Sequence, residues 1–341
     1  MIFGVGTAMI VAFFLTGLPE LFPGVIPIVG KHLAFIVFWW ILGRFSFWFI
    51  DYFGIFFTGF INISLTAYIS YLAAIPAFRD RNKRHTSLAY SMVSIVIIQT
   101  IFFLSESEIL NIDSYKILLL SMILFLVLIL LALRRVSMES INELLNQENI
   151  SEIFLAKSFR YNLAIFCLLL YGFVELFFPN NSTLAYICFA CGSATFDLLN
   201  DFVLKDNNIL FKPFVLYIIS TISITAIGFF FLGFNYLFEL NITNHFRHFL
   251  TTGSFGMVFY VIMIIVSTIH TGRKIFTNWA LTLGLILIII ATFMRAFIPF
   301  YIEYSMTLYI LSSIIWAIPF IIYMKIFFPF LLQVRADGIK G

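Results

Sequence analysis

Charge is what this chain of 341 residues has least of: Asp, Glu, Lys and Arg together make up only 11% of it. A soluble domain carries about 25%. With 62% hydrophobic residues and a mean hydropathy of +1.05, no sizeable soluble domain fits. The net charge of +3 is too small to point to nucleic acid. Cysteine is scarce as well. Cys167, Cys188 and Cys191 all lie in apolar stretches, and Cys188 and Cys191 have CxxC spacing. Gly192 follows them, so this is not a haem-attachment motif, and no βαβ pattern surrounds it. The three read as inert buried thiols. There is no HExxH, Walker loop, GxSxG or run of paired carboxylates. The start, Met1-Ile2-Phe3-Gly4, has no basic segment and no A-x-A site, so no cleavable signal peptide is evident.

What the chain does have is a series of apolar runs, many longer than about 18 residues, the length of a membrane-crossing helix. The expected fold is an all-α polytopic membrane protein with about 11 transmembrane helices. They are placed near 2–18, 32–48, 54–77, 87–104, 117–133, 163–178, 183–202, 214–238, 248–270, 279–298 and 301–327. Pro19, Pro23 and Pro27 break the chain after the first. The whole of 1–341 reads as one transmembrane domain. Its longest polar connection, 134–160, suggests a short amphipathic helix on the cytoplasmic membrane surface, with Ile141, Leu144, Leu145, Ile150, Ile153 and Phe154 as its apolar face. Phe is abundant at 45 residues, as expected of rings that pack together and face acyl chains. Membrane lipid is therefore the first partner.

Every second connection is basic: 78–85, 134–160, 203–213, 273–274 and the C-terminal tail. The positive-inside rule then places the C-terminus in the cytoplasm and Met1 outside. A missing first helix would restore twelve spans with both ends inside. Four charges fall near the outer ends of helices: Arg44, Glu175, Arg295 and Glu303. They either snorkel to the interface or face a polar cavity, where Arg44 or Arg295 would hold an anionic group such as a haem propionate.

Three of the five histidines bracket one apolar run, His245 to Arg273. His248 and His270 are separated by roughly 33 Å at helical rise, about one hydrocarbon thickness, so one metal ion cannot reach both. His245 and His248 are three apart and share a helix face. Imidazole is the usual ligand of b-type haem iron and of copper. A lone histidine at a helix end is more often a plain interfacial residue. His85, in a basic loop, reads as solvated.

His248-Phe-Leu-Thr251-x-Gly253-x-x-Gly256-Met257, followed by His270-Thr271-Gly272-Arg273, resembles the most recognisable stretch of the NnrS family. Gly4 to Pro19 is similar to that family's second helix, and Trp40-Ile-Leu-Gly43-Arg44 to its Trp-Leu-x-Gly-Arg. Arg135-Val136 falls where the family has Gly-Arg-Val-Ile-Pro, and Arg295 follows the tenth helix as the family's arginine does. The chain departs from the pattern at Ile269, where the family has glycine, at Arg134, and in lacking a histidine between Val215 and Gly233. The family's first helix, with its own histidines, is expected upstream of Met1.

The resemblance implies a twelve-helix protein of the bacterial inner membrane that binds haem and copper and acts in nitric-oxide metabolism and relief of nitrosative stress. On that reading His248 is an outer-face ligand of b-type haem or copper, and His245 is its neighbour. His270 serves an inner-face site or caps its helix, and Arg44 and Arg295 neutralise propionates. Nitric oxide and a redox partner are the implied partners. The alternatives are a small-solute transporter using the outer polar cluster, a cofactor-less membrane scaffold, and a membrane acyltransferase, for which His32 and Arg44 are the nearest approach to a catalytic pair.

Overall fold

The computed structural model describes residues 2–8, 25, 28–80, 86–179, 181–203, 207–276, 278–336 and 338. Most of the first expected run, with Pro19, Pro23 and Pro27, lies outside these, as do His85 and Lys205. Every regular element among the described residues is a helix. Helices are the open-chain answer to a membrane, because each satisfies its own backbone polar groups.

The principal helices are α1 (Gly30–Trp48), α2 (Ile50–Arg79), α3 (Thr86–Glu106), α4 (Ser114–Gln147), α5 (Ser158–Phe177), α6 (Thr183–Asp197), α7 (Pro213–Leu237), α8 (Gly256–His270), α9 (Trp279–Ala296) and α10 (Ser305–Leu332). Two π-helices, Ile2–Gly6 and Phe249–Phe255, complete the set that matters for function. The second joins the turn Thr243–Phe246 to α8, so one helical rod runs from Thr243 to His270. All eleven expected runs are thus helical over nearly all of their described length. Among the described residues eight helices are long and apolar enough to cross a membrane, so the expected count of about 11 is not confirmed. The two that fall short are α1, which carries Lys31, His32 and Arg44, and α6, whose α-helical part has 15 residues.

The connection 134–160 differs from expectation. No separate amphipathic helix forms there. Instead α4 continues unbroken through Gln147. Beyond the apolar stretch it is held by i,i+4 contacts, Arg135 with Glu139 at 2.6 Å and Gln147 with Glu143 at 2.8 Å. It stops at Asn149, whose φ of 57° is left-handed, with the Ile150 N–H donating to the Leu145 carbonyl. The chain then runs back non-helically. The Asn142 side chain clasps Phe154, accepting its N–H and donating to its carbonyl. Ile141, Leu144, Leu145 and Phe154 are buried, but Ile153 is exposed.

The chain forms two compact units, Met1–Leu128 and Ile129–Gly341. In the first, α1 packs on α2 and α2 on α3. In the second, α6 packs on both α5 and α7, α9 packs on α10, and the second π-helix lies against α7 and α9. The rod Thr243–His270 is the most enclosed candidate span, with 78% of its apolar window buried, against 17% for Ile302–Leu332. Tightly packed rings surround its start: Phe231, Phe246, Phe249, Phe293 and Phe297 stack or meet edge to face.

The rod's other end explains His-Thr-Gly-Arg. Gly272 adopts φ 67°, the Arg273 N–H reaches back to the Thr268 carbonyl, and the Gly272 N–H to Ile269. This is a left-handed helix stop. Arg273 then donates to Gln333 Oε1 at 3.0 Å and lies 4.2 Å over the Phe330 ring, while the Ala336 N–H bonds to the Thr271 carbonyl. The motif ties α8 to the end of α10. Replacing Gly272 with Val is expected to destabilise the protein by more than about 1 kcal/mol, and with Asn by less, since Asn tolerates the left-handed region. Thermal unfolding in detergent reads the difference.

Candidate functional site

Antiparallel order in the second unit brings the ends of α5, α7 and α9 to one side, with the starts of the His245–His270 rod and of α10. Glu175 sits there near the end of α5 and is 6% exposed. It does not snorkel. Arg247, from the start of the rod, forms an ion pair with Glu175 Oε1. Tyr171 donates to the same oxygen at 2.6 Å from one turn back on α5, and Tyr236 at 3.0 Å from α7. Arg247 also donates to Asn244 Oδ1. A buried carboxylate needs a counter-charge and hydrogen bonds together, and here three helices supply them.

This ion pair sets the position of the histidines, because Arg247 directly precedes His248. His245 and His248 are both half-buried, their ring centroids 6.3 Å apart and their planes nearly perpendicular. The Thr251 and Thr252 hydroxyls approach His248 Nδ1 at 3.5 and 3.4 Å. That engages one ring nitrogen and leaves Nε2 as the nitrogen for a ligand. His245 Nδ1 is buried and has no hydrogen-bond partner. The guanidinium of Arg295 is near enough to act electrostatically on His248, and it lies 4.3 Å over the Tyr309 ring.

The residues following His248 form the second π-helix, a wide turn often found at functional sites. Its glycines have packing reasons. A Cβ at Gly253 would stand 2.9 Å from Thr292, and one at Gly256 would stand 2.7 Å from the Trp316 indole nitrogen. That nitrogen donates to the Thr252 carbonyl at 3.1 Å. The His-x-Leu-Thr-x-Gly-x-x-Gly spacing therefore serves close packing around His248. The first unit repeats part of this pattern. The Trp40 indole donates to the Gly4 carbonyl in the first π-helix at 3.1 Å, and Arg44 packs against Gly4. As Arg295 does on α9, Arg44 lies near the end of its helix.

The expected site residues therefore separate. His245, His248 and Arg295 share one end of the second unit. His270 is the half-buried last residue of α8, a full rod length away. Arg44 belongs to the first unit, where it bonds to Asn62 and lies 5.0 Å over the Phe47 ring. His32 pairs with Tyr68 at 2.7 Å, not with Arg44. Glu303 is exposed, as an interfacial residue would be. No group of three or more His, Cys, Asp or Glu is arranged to hold a metal among the described residues. Arg247, Tyr171 and Tyr236 were not foreseen from the sequence. The only local signal was a tyrosine four residues before a membrane glutamate.

Replacing Arg247 with Leu leaves the Glu175 charge buried and alone, an expected loss of about 3–5 kcal/mol. The double variant Glu175→Gln/Arg247→Leu keeps an acceptor for both tyrosines and is expected to recover more than half of that. A double-mutant cycle by thermal unfolding in detergent measures it.

No curated protein and no solved structure matches the chain. The family model described as NnrS protein matches residues 1–335. Essentially the whole chain is covered, and this protein belongs to the NnrS family.

Proposed function

We propose that the protein binds haem, copper or both at the His245–His248 end of its second unit and acts in nitric-oxide metabolism or relief of nitrosative stress. The observation that carries this reading is the buried, unpartnered His245 Nδ1 beside a His248 ring whose Nδ1 faces two threonine hydroxyls. A buried ring nitrogen without a partner is costly unless something binds it. Membership of the NnrS family supports the same reading.

The residues fit either group. One imidazole suffices as an axial ligand to haem iron, and two together suit a copper ion that takes its remaining donors elsewhere. His248 would present Nε2 to the metal. The Thr251 and Thr252 hydroxyls hold its ring orientation, as outer partners of ligating histidines do. Arg295 supplies a positive charge beside the ring, suited to a propionate carboxylate. The Glu175–Arg247 pair fixes the first turn of the rod and so the direction of both rings. Bound iron or copper would supply the affinity for nitric oxide, and the surrounding apolar helices give that uncharged gas a path from the lipid. His270, at the other end, is proposed as an inner-face ligand or a helix-end residue only. We place the protein in a bacterial inner membrane, its basic C-terminal side in the cytoplasm, with a redox partner if electrons are exchanged.

A second reading, a scaffold without cofactor, is favoured by the lack of a third metal donor among the described residues. Small-solute transport through the polar end is the third. Replacing His248 with Ala separates them. The cofactor reading predicts loss of at least about nine-tenths of the bound haem iron or copper, consistent with removal of a ligand, with the fold retained. Metal and haem content after detergent purification measures it, and unchanged content would remove His248 as a ligand.

A further inference from the structure

A second polar cluster lies in the first unit, away from the histidines. Gln99, on α3, is fully buried, and both its amide nitrogen and its amide oxygen lack a hydrogen-bond partner. An amide with neither end satisfied inside a membrane-crossing helix is a costly feature that calls for an occupant. The register of α2 against α3 shows what it faces. Gly59 packs on Phe103, and the Ser70 hydroxyl reaches the Met92 carbonyl at 3.4 Å. Met92, Gln99 and Phe103 share one stripe of α3, and Gly59, Asn62, Thr66 and Ser70 share the facing stripe of α2. That pairing puts Gln99 opposite Asn62.

Asn62 cannot satisfy it. Its Oδ1 accepts from Arg44, and its Nδ2 is directed to the carbonyls of Thr58 at 2.8 Å and Gly43 at 3.4 Å. Thr66 donates to the Asn62 carbonyl at 3.0 Å. Arg44 is itself incompletely used, because its Nε is buried without a partner. The guanidinium is enclosed by Trp40, Phe47 and Gly4. No carboxylate pairs with it among the described residues. Two elements thus bring a cation with a free N–H and a free amide group to either side of one asparagine.

We propose that Arg44, Asn62 and Gln99 form a binding site for an anionic oxygen group, a carboxylate or small planar oxyanion. Arg44 Nε and Gln99 Nε2 donate to it, Arg44 balances its charge, and Gln99 Oε1 accepts a hydrogen bond from an accompanying water or hydroxyl. The site does not rest on the histidine reading, whose ligands lie in the other unit. The occupant's source is either a free small oxyanion or the carboxylate arm of a larger amphipathic molecule.

The test uses Gln99→Leu, which deletes an unsatisfied amide and should fold at least as stably as wild type. Formate and nitrite are titrated into the purified full chain at constant ionic strength against chloride, reading thermal unfolding. In a second arm, haemin and its dimethyl ester, which lacks the carboxylates, are titrated by absorbance. The proposal predicts that wild type prefers formate and nitrite over chloride, or haemin over its ester. It predicts that Gln99→Leu and Arg44→Leu each weaken that preference by about tenfold or more, the effect of one hydrogen bond to a charged group. A preference in the first arm identifies a free oxyanion, and one in the second alone identifies an amphipathic carboxylate. No preference in either arm, or a preference Gln99→Leu leaves intact, overturns the site and leaves Gln99 a structural residue. His248→Ala should not alter the formate arm, so failure of the histidine reading is seen separately.

Discussion

A buried glutamate that must not be left alone is the constraint on which the second unit depends. Inside a helical membrane protein the charge of Glu175 is tolerated only with a cation and hydrogen bonds in place. Arg247 provides the cation, and Tyr171 and Tyr236 provide the hydrogen bonds, so three helices are drawn to one point. Anchoring Arg247 also anchors its neighbours along the rod. His248 is the next residue, the wide π-helical turn begins one residue later, and the phenylalanine cluster around Phe249 and Phe297 closes over it. A polar requirement at one carboxylate thereby orients a pair of imidazoles.

The family's recognisable motif divides into two kinds of residue on this account. Gly253, Gly256, Gly272 and Arg273 have full packing explanations. The first two admit Thr292 and Trp316, Gly272 takes the left-handed stop, and Arg273 ties α8 to α10. His248 and His245 do not. They sit half-buried at the polar end with ring nitrogens that the fold does not use up, and chemistry is therefore assigned to them rather than to the glycines.

The sequence was a good guide to where helices lie, because apolar runs of membrane length leave little alternative. It misplaced the end of α4, since the charged residues beyond Leu133 look like a loop until Arg135 and Glu139 are seen to pair along one helix face. Among the described residues the expected count of about 11 spans is not confirmed, because α6 has only 15 α-helical residues and α1 carries Lys31 and Arg44. The polar sites were only half legible. Glu175 stood out as a charge in an apolar run, but its partner lies 72 residues on, next to a loop, and no local pattern joins them. Gln99 carries no sequence signal, since a single neutral amide in an apolar helix becomes informative only when its surroundings offer it no partner.

A redox-active metal centre open to nitric oxide is proposed for this polar end. The most direct measurement is the visible spectrum of the purified protein, oxidised, then reduced with dithionite, then exposed to nitric oxide. The account predicts a haem Soret band that shifts on reduction and shifts again with nitric oxide, or, for copper alone, a metal-dependent band that nitric oxide alters. A colourless, metal-free protein, well folded and unchanged by nitric oxide, would contradict it.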